Sequence, residues 1–203
     1  MIAIIDYGVG NLYSLKSSFD SLGIETKVTG DKEEIKAADK IILPGVGAFC
    51  DAAESLRACG LDKVVKEEAE KGKYIMGICL GMQLLFEKSY EFGEYEGLGL
   101  ISGNVRPIAD VIPKEYKIPH IGWNALSFPK KSPLFKYINE GDFVYFVHSF
   151  YCADCDENVI ANTEYGGILT AAAQKGNVFG CQFHPEKSGD VGLKILKAFS
   201  ELN

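Results

Sequence analysis

Long apolar runs are missing from this chain: none reaches the roughly 18 residues that would suggest a membrane span. Positive charge is also short. With 21 lysines and arginines against 28 aspartates and glutamates, the formal net charge is −7, and a nucleic-acid backbone is a poor partner for the molecule as a whole. Met1 leads straight into IAIID with no basic segment or small-residue cleavage site, so a cytoplasmic location is expected. Histidine and tryptophan are scarce, three and one in 203 residues, and each must be accounted for by itself. A second C-x-x-C is absent as well. Cys152 and Cys155 form the one such pair, with His148 just upstream, but CADCDEN reads as a loop between strands rather than the opening of a helix. Neither a metal site nor a redox site is expected there, and the six cysteines are read as reduced thiols.

What is present is an alternation of short apolar runs and amphipathic segments. IAIID (2–6), an apolar run ending in Asp6, predicts a strand, and Leu12, Leu15, Phe19 and Leu22 recur at helical spacing before Gly23. IETKVT (24–29), KIIL (40–43) and KYIMGI (73–78) predict further strands, the last two buried on both faces because they are continuously apolar. DKVVKEEAEKG (62–72) reads as a solvated helix closed by Gly72. Beyond about residue 100 the pattern becomes strand-rich, through IGWNALSF, DFVYFVHSFY, NVIANTEY, ILTAAAQ and NVFGCQF. A last helix over about 189–202 places Val191, Ile195, Phe199 and Leu202 on one face. The fold class expected is α/β: one domain over 1–203, with a mostly parallel sheet flanked by helices.

GICLGMQ (77–83) carries the chemistry. A predicted strand ends and a predicted helix, about 80–88, begins at Cys79, with Gly77 and Gly81 on either side. Small neighbours are what a strained strand-to-helix turn needs, and a thiol at a helix start is favoured as thiolate. A nucleophile needs a base and a group to orient that base. His184 in FHPEKS follows the apolar run NVFGCQF, at the carboxyl end of a strand, and Glu186 lies two residues on. In an extended segment those two side chains point the same way. Taken alone, His184 is as well explained by a histidine bonded to a backbone carbonyl; His120 and His148 lack a following acid and read as structural or substrate-lining. PGVGAF (44–49), after the strand KIIL, offers backbone N–H groups for an oxyanion through Gly45 and Gly47, or is an ordinary Pro-Gly turn. DYGVGN (6–11) has G-x-G without the third glycine of a dinucleotide fingerprint and is read as a turn.

PGVG, GICLGMQ and FHPE, in that order, resemble the class I (triad) glutamine amidotransferases. DYGVGNL, PHIGWN (119–124), YFVHSFY (145–151) and FHPEKS are similar, from end to end of the chain, to the branch of that family formed by the glutaminase subunits of imidazole glycerol phosphate synthases. The resemblance implies a flavodoxin-like sheet and hydrolysis of L-glutamine to glutamate and ammonia, with no cofactor. It further implies a heterodimer with a (βα)8-barrel cyclase, which uses the ammonia in histidine biosynthesis to form imidazole glycerol phosphate and aminoimidazole carboxamide ribotide. By the same resemblance Cys79 forms a γ-glutamyl thioester, His184 serves as base and then acid, and Glu186 orients it. Gly45, Val46, Gly47 and Leu80 fall in the oxyanion region, and Gln83, Glu91, Ser149 and Phe150 in the glutamine pocket. Glu87, Glu94 and Glu96 compete with Glu91 for the substrate's α-amino group. Asn11, Trp123, Tyr145 and Lys187 fall where the family meets its cyclase, although a lone tryptophan serves equally in a core. A related subunit feeding a different aminating enzyme is the alternative.

Overall fold

Alternation of apolar side chains above and below a sheet organises the computed structural model, which describes residues 1–203. In chain order the elements are β1 (Ile2–Ile5), α1 (Leu12–Ser21), β2 (Thr26–Thr29), α2 (Lys32–Ala37), β3 (Lys40–Leu43), α3 (Phe49–Ala58), α4 (Leu61–Glu70), β4 (Tyr74–Ile78) and α5 (Leu80–Leu84). There follow β5 (Lys88–Ser89), β6 (Tyr95–Glu96), β7 (Asn104–Pro107), β8 (His120–Ala125), β9 (Phe143–His148), β10 (Phe150–Ala153), β11 (Val159–Glu164), β12 (Ile168–Lys175), β13 (Val178–Cys181) and α6 (Gly189–Ser200). Seven strands form one sheet in the order β11-β12-β13-β4-β3-β1-β2. Its five strands from β13 to β2 are parallel, and β12 and β11 extend it antiparallel.

Period-two alternation sorts the strand residues into two cores. Ala3, Ile5, Ile41, Leu43 and Ile75 face Ile35, Phe49, Leu56, Leu61 and Val65 of α2, α3 and α4. On the opposite face Ile2, Ile4, Ile42 and Met76 meet Leu15 and Phe19 of α1 and Ile195, Leu196 and Phe199 of α6. A parallel sheet so covered has near-continuous apolar strands because neither face meets water.

Four expectations change. α5 ends at Leu84 rather than near 88: the carbonyls of Leu84, Leu85 and Phe86 accept from Leu98, Leu100, Ile101 and Gly99, so a returning segment takes the acceptors a longer helix would need. α4 is amphipathic rather than wholly solvated, burying Val64, Val65, Glu68 and Ala69. α2 and α3 lay outside the periodic reading. Finally, Cys152 belongs to a strand, β10, in a small sheet of order β10-β7-β5-β6, and only Cys155 follows it in a turn.

β8 and β9 form a separate two-stranded ribbon. β11 holds it along one side, Thr163 donating to the Ala125 carbonyl, and at the site edge His184 donates its N–H to the Tyr145 carbonyl (3.0 Å) while Tyr145 donates its own to Ser188 Oγ (2.9 Å).

Candidate active site

Three neighbouring parallel strands, β3, β4 and β13, end at the same edge. The chain leaves them as PGVG, as Cys79 and as the segment to His184, so motifs 34 to 140 residues apart converge where α/β sheets place their ligands. Cys79 sits at φ 55°, ψ −113°, a conformation few side chains adopt and one that costs about 1–3 kcal/mol unless its surroundings impose it. They do impose it. Its N–H donates to Cys181 of β13 (2.8 Å) and its carbonyl accepts from Gln83 (3.2 Å). A Cβ on Gly77 would lie 2.5 Å from the Gly81 carbonyl oxygen, and one on Gly81 would lie 1.9 Å from that of Leu43. The two flanking glycines are therefore required by close backbone approach. Gly45 meets the same constraint from Gly81, whereas Gly47 is needed for its φ of 93°.

His184 Nδ1 lies 2.8 Å from Glu186 Oε1, both side chains being almost fully buried. The contact is as expected but its cause is not: Pro185–Lys187 is a 3-10 turn, and the turn, not an extended strand, brings the carboxylate back to the ring. His184 itself stays extended, as the following proline demands. Burial opposes charge on the imidazole, yet Cys79 and Glu186 outweigh it and raise the group to about 10. The sulfur exerts this pull without a well-aligned bond to the ring in the resting geometry. Its polar contacts are the Val147 carbonyl at 4.0 Å and the Gln182 amide at 3.8 Å.

Between these groups lies a cleft of about 320 Å³, whose lining includes Val46, Gly47, Cys79, Gln83, Glu91 and His184. Leu80, His148, Ser149 and Phe150 also line it. Glu91 is buried, and one of its oxygens accepts the Phe49 N–H at the start of α3 (2.6 Å). The second oxygen is uncommitted, and burial raises the carboxyl against that N–H bond. The competing acids are placed elsewhere: Glu87 accepts from the Gly103 N–H, Glu94 pairs with Lys88, and Glu96 is exposed. Gln83 is held from both sides, donating to the Phe150 carbonyl (3.2 Å) and to Gln182 (2.9 Å). If Glu91 receives an ammonium group, Glu91→Gln should raise the KM for glutamine about 10- to 100-fold with kcat little changed, the range of a charged hydrogen bond. Steady-state kinetics showing KM within twofold of wild type would remove Glu91 from that role.

The family description "Glutamine amidotransferase class-I" matches residues 3–201 of the chain. The chain belongs to the class-I glutamine amidotransferases. Within them it is 52% identical to the "Imidazole glycerol phosphate synthase subunit HisH" of Oceanobacillus iheyensis, covering 100% of this chain and 99% of that protein. It is also 52% identical to the HisH subunit of Caldanaerobacter subterraneus subsp. tengcongensis, covering 100% and 98%. Among solved structures, "PurLQS from Thermotoga maritima" superposes with a TM-score of 0.76 at 22% identity, covering 98% of this chain and 96% of that one, a likeness of fold alone.

The remaining residues singled out in this amidotransferase gather outside the cleft. Trp123 is 52% exposed, its ring 6.0 Å from that of Tyr145, and Lys187 Nζ stands over the Tyr145 ring, 6.0 Å from its centroid. Asn11 opens α1 without a side-chain cap bond, and α1 packs on the turn that carries Lys187. Two buried residues went unnoticed in the sequence. Tyr7, in the segment read only as a turn, donates to the Pro44 carbonyl (2.7 Å) and fixes the start of the PGVG loop. Gln182, two residues before His184, links Gln83 to the sulfur of Cys79.

Cys152 and Cys155 are both buried, and burial pushes Cys152 up and Cys155 up to about 11, which makes both poor thiolates. Replacing both by serine should leave glutamine turnover within about twofold of wild type, since neither thiol touches the cleft. Stoichiometric zinc in the purified protein, lost on that replacement, would overturn this reading.

Proposed function

We propose that this amidotransferase is the glutaminase subunit of an imidazole glycerol phosphate synthase, acting as one domain over 1–203 in the cytoplasm and needing no cofactor. The observation that carries the reaction is the meeting of a strained thiol at the carboxyl edge of the sheet with a buried histidine–carboxylate pair at one end of a cleft. Cys79 Sγ, as the thiolate whose proton His184 already holds, attacks the side-chain carbonyl carbon of glutamine. The oxygen of the tetrahedral intermediate is held by backbone N–H groups, that of Leu80 and one from Gly45, Val46 or Gly47. His184 returns its proton to the leaving nitrogen, ammonia departs and a γ-glutamyl thioester remains. Water, deprotonated by His184, then attacks the thioester, releasing glutamate and restoring the thiolate. Glu186 holds the ring through Nδ1 and steadies its charge at each step. Glu91 receives the substrate's α-ammonium, and the backbone at Ser149 and Phe150 lines the same cleft.

Ammonia passes to a separate cyclase subunit with a (βα)8 barrel, docked on the face that carries Asn11, Trp123, Tyr145 and Lys187. Full-length relatives at 52% identity support this acceptor over that of another aminating enzyme. The test is stoichiometry. With the synthase's other subunit and its nucleotide substrate present, one glutamate should appear for each imidazole glycerol phosphate, even in a buffer that traps free ammonia. Glutamate released in large excess over product would sink the channelled transfer.

A further inference from the structure

β8 and β9 pair so that His120 stands opposite His148, and the two rings join, with His120 Nδ1 2.9 Å from His148 Nε2. This contact is the middle of a longer series. His148 Nδ1 lies 2.8 Å from the Phe150 carbonyl, and His120 Nε2 lies 2.8 Å from Asn124 Oδ1. Asn124 Nδ2 in turn donates to the Glu164 carbonyl at 2.9 Å. Both imidazoles are buried, and that of His120 stacks on Phe146 and Tyr165 with ring centroids 5.0 and 4.0 Å away.

Each of the four contacts needs one hydrogen. Carbonyl oxygens at the two ends only accept, and Asn124 supplies one N–H to the series whichever way its amide is turned. Each neutral imidazole supplies one more. Three hydrogens for four contacts leave one contact between two lone pairs, and only an additional proton on the pair of rings would fill it. Burial excludes that proton at neutral pH. It pushes His148 down to about 4, with the charges of His120 and His184 acting in the same sense and the Phe150 carbonyl against them. Burial lowers His120 too, opposed by its bond to Asn124.

We infer that His148, His120 and Asn124 are positioning residues of the glutamine pocket, and that the Phe150 carbonyl and Asn124 compete for the hydrogen the series lacks. In one arrangement both rings carry the proton on Nδ1: His148 donates to Phe150, His120 donates to His148, and the Asn124 end goes without. In the other both carry it on Nε2: His148 donates to His120, His120 donates to Asn124, and the Phe150 carbonyl keeps only the longer bond from Gln83. One proton moves per ring and none is gained or lost. His148, Ser149 and Phe150 line the cleft, whereas Asn124 lies on β8 beside the exposed Trp123. Whatever turns the Asn124 amide is therefore felt at the substrate wall, and by linkage glutamine is felt at β8.

The inference rests on reading the cleft as the glutamine site, and its test separates the two. Asn124→Leu removes two contacts and one hydrogen, leaving two hydrogens for two contacts. Asn124→Asp places a carboxylate that draws a third proton onto the rings. Nitrogen-15 spectra of histidine-labelled protein at pH 7 should show mixed tautomers for His148 in the wild type, a neutral Nδ1–H ring for His148 in both variants, and an imidazolium at His120 in Asn124→Asp. Both variants fill the Phe150 contact, so calorimetry on a Cys79→Ala background should find L-glutamine bound about two- to tenfold more tightly in each. A purely structural asparagine would leave the tautomers alone. His148 in one unchanged tautomer across all three proteins would overturn the relay, and so would glutamine affinities within twofold of the Cys79→Ala parent. Shifted tautomers with no glutamine bound to any of them would leave the relay and sink the site.

Discussion

Cys79→Ala is expected to reduce glutamine hydrolysis by at least about 10⁴-fold while leaving the fold and glutamine binding in place, because removal of an attacking nucleophile costs a triad enzyme that much or more. The backbone at 79 is held by the bonds to Cys181 and Gln83 and by the glycine contacts on either side, none of which involves the sulfur. Alanine at φ 55° bears the same strain as cysteine, so the melting temperature should move little. A second readout follows from His184. Its charged form is stabilised in the folded protein, where it titrates at about 10 against an ordinary 6.5. A raised value contributes stability that is complete below about pH 6.5 and is lost as pH rises towards about 10. Cys79 is one of the two groups that raise it, so the alkaline loss of stability between those limits should be smaller in Cys79→Ala than in wild type. Residual turnover near the wild-type rate would return Cys79 to the status of a core thiol.

How much of this was legible in the sequence depended on how local each feature is. The central strands were readable because burial on both faces makes each of them apolar throughout, and the elbow because Gly77 and Gly81 sit beside the residue they serve. α3 escaped notice because it buries Ala52 and Ala53 as well as Phe49 and Leu56, and alanine carries little periodic signal. α2 has a single buried residue, Ile35. The early end of α5 is decided by carbonyl partners from residues 98–101, and the small sheet includes strands of two residues, too short to carry a periodic signal. At the site, each triad residue sits in a short motif, whereas Tyr7, Gln182 and the joined histidines depend on strand order and register. Nothing near His120 in the chain announces that β8–β9 pairing sets it opposite His148.

Glutamine turnover by this chain alone should be slow, and should rise about 10²–10³-fold when the synthase's other subunit is bound with its own substrate. Ammonia released into water is protonated and lost, so hydrolysis without an acceptor wastes glutamine, and the PGVG loop is built in a way that can prevent it. Its first peptide is pinned, Tyr7 holding the Pro44 carbonyl and Gly45 packed against Gly81. Beyond that point the constraints lapse. The N–H groups of Val46 and Gly47 find no acceptor within the protein, Val46 is 41% exposed, and a Cβ on Gly47 would meet nothing within 4 Å. A peptide anchored at one end and free in the middle has two orientations, with its N–H toward the cleft or away from it. One oxyanion donor supplies roughly 3–4 kcal/mol in the transition state, so shifting the population from the outward to the inward state accounts for a rise of that size with no other change in the triad. On the docking face proposed above, Tyr145 connects to the same edge, since its carbonyl holds the His184 N–H and its ring lies 6.0 Å from the Trp123 ring and 6.0 Å from Lys187 Nζ. Turnover is to be measured for the chain alone, with its partner, and with the partner carrying its substrate or an unreactive analogue. If kcat is the same in all three conditions, the loop is not a switch, and the assignments of Cys79, His184 and Glu186 stand without it.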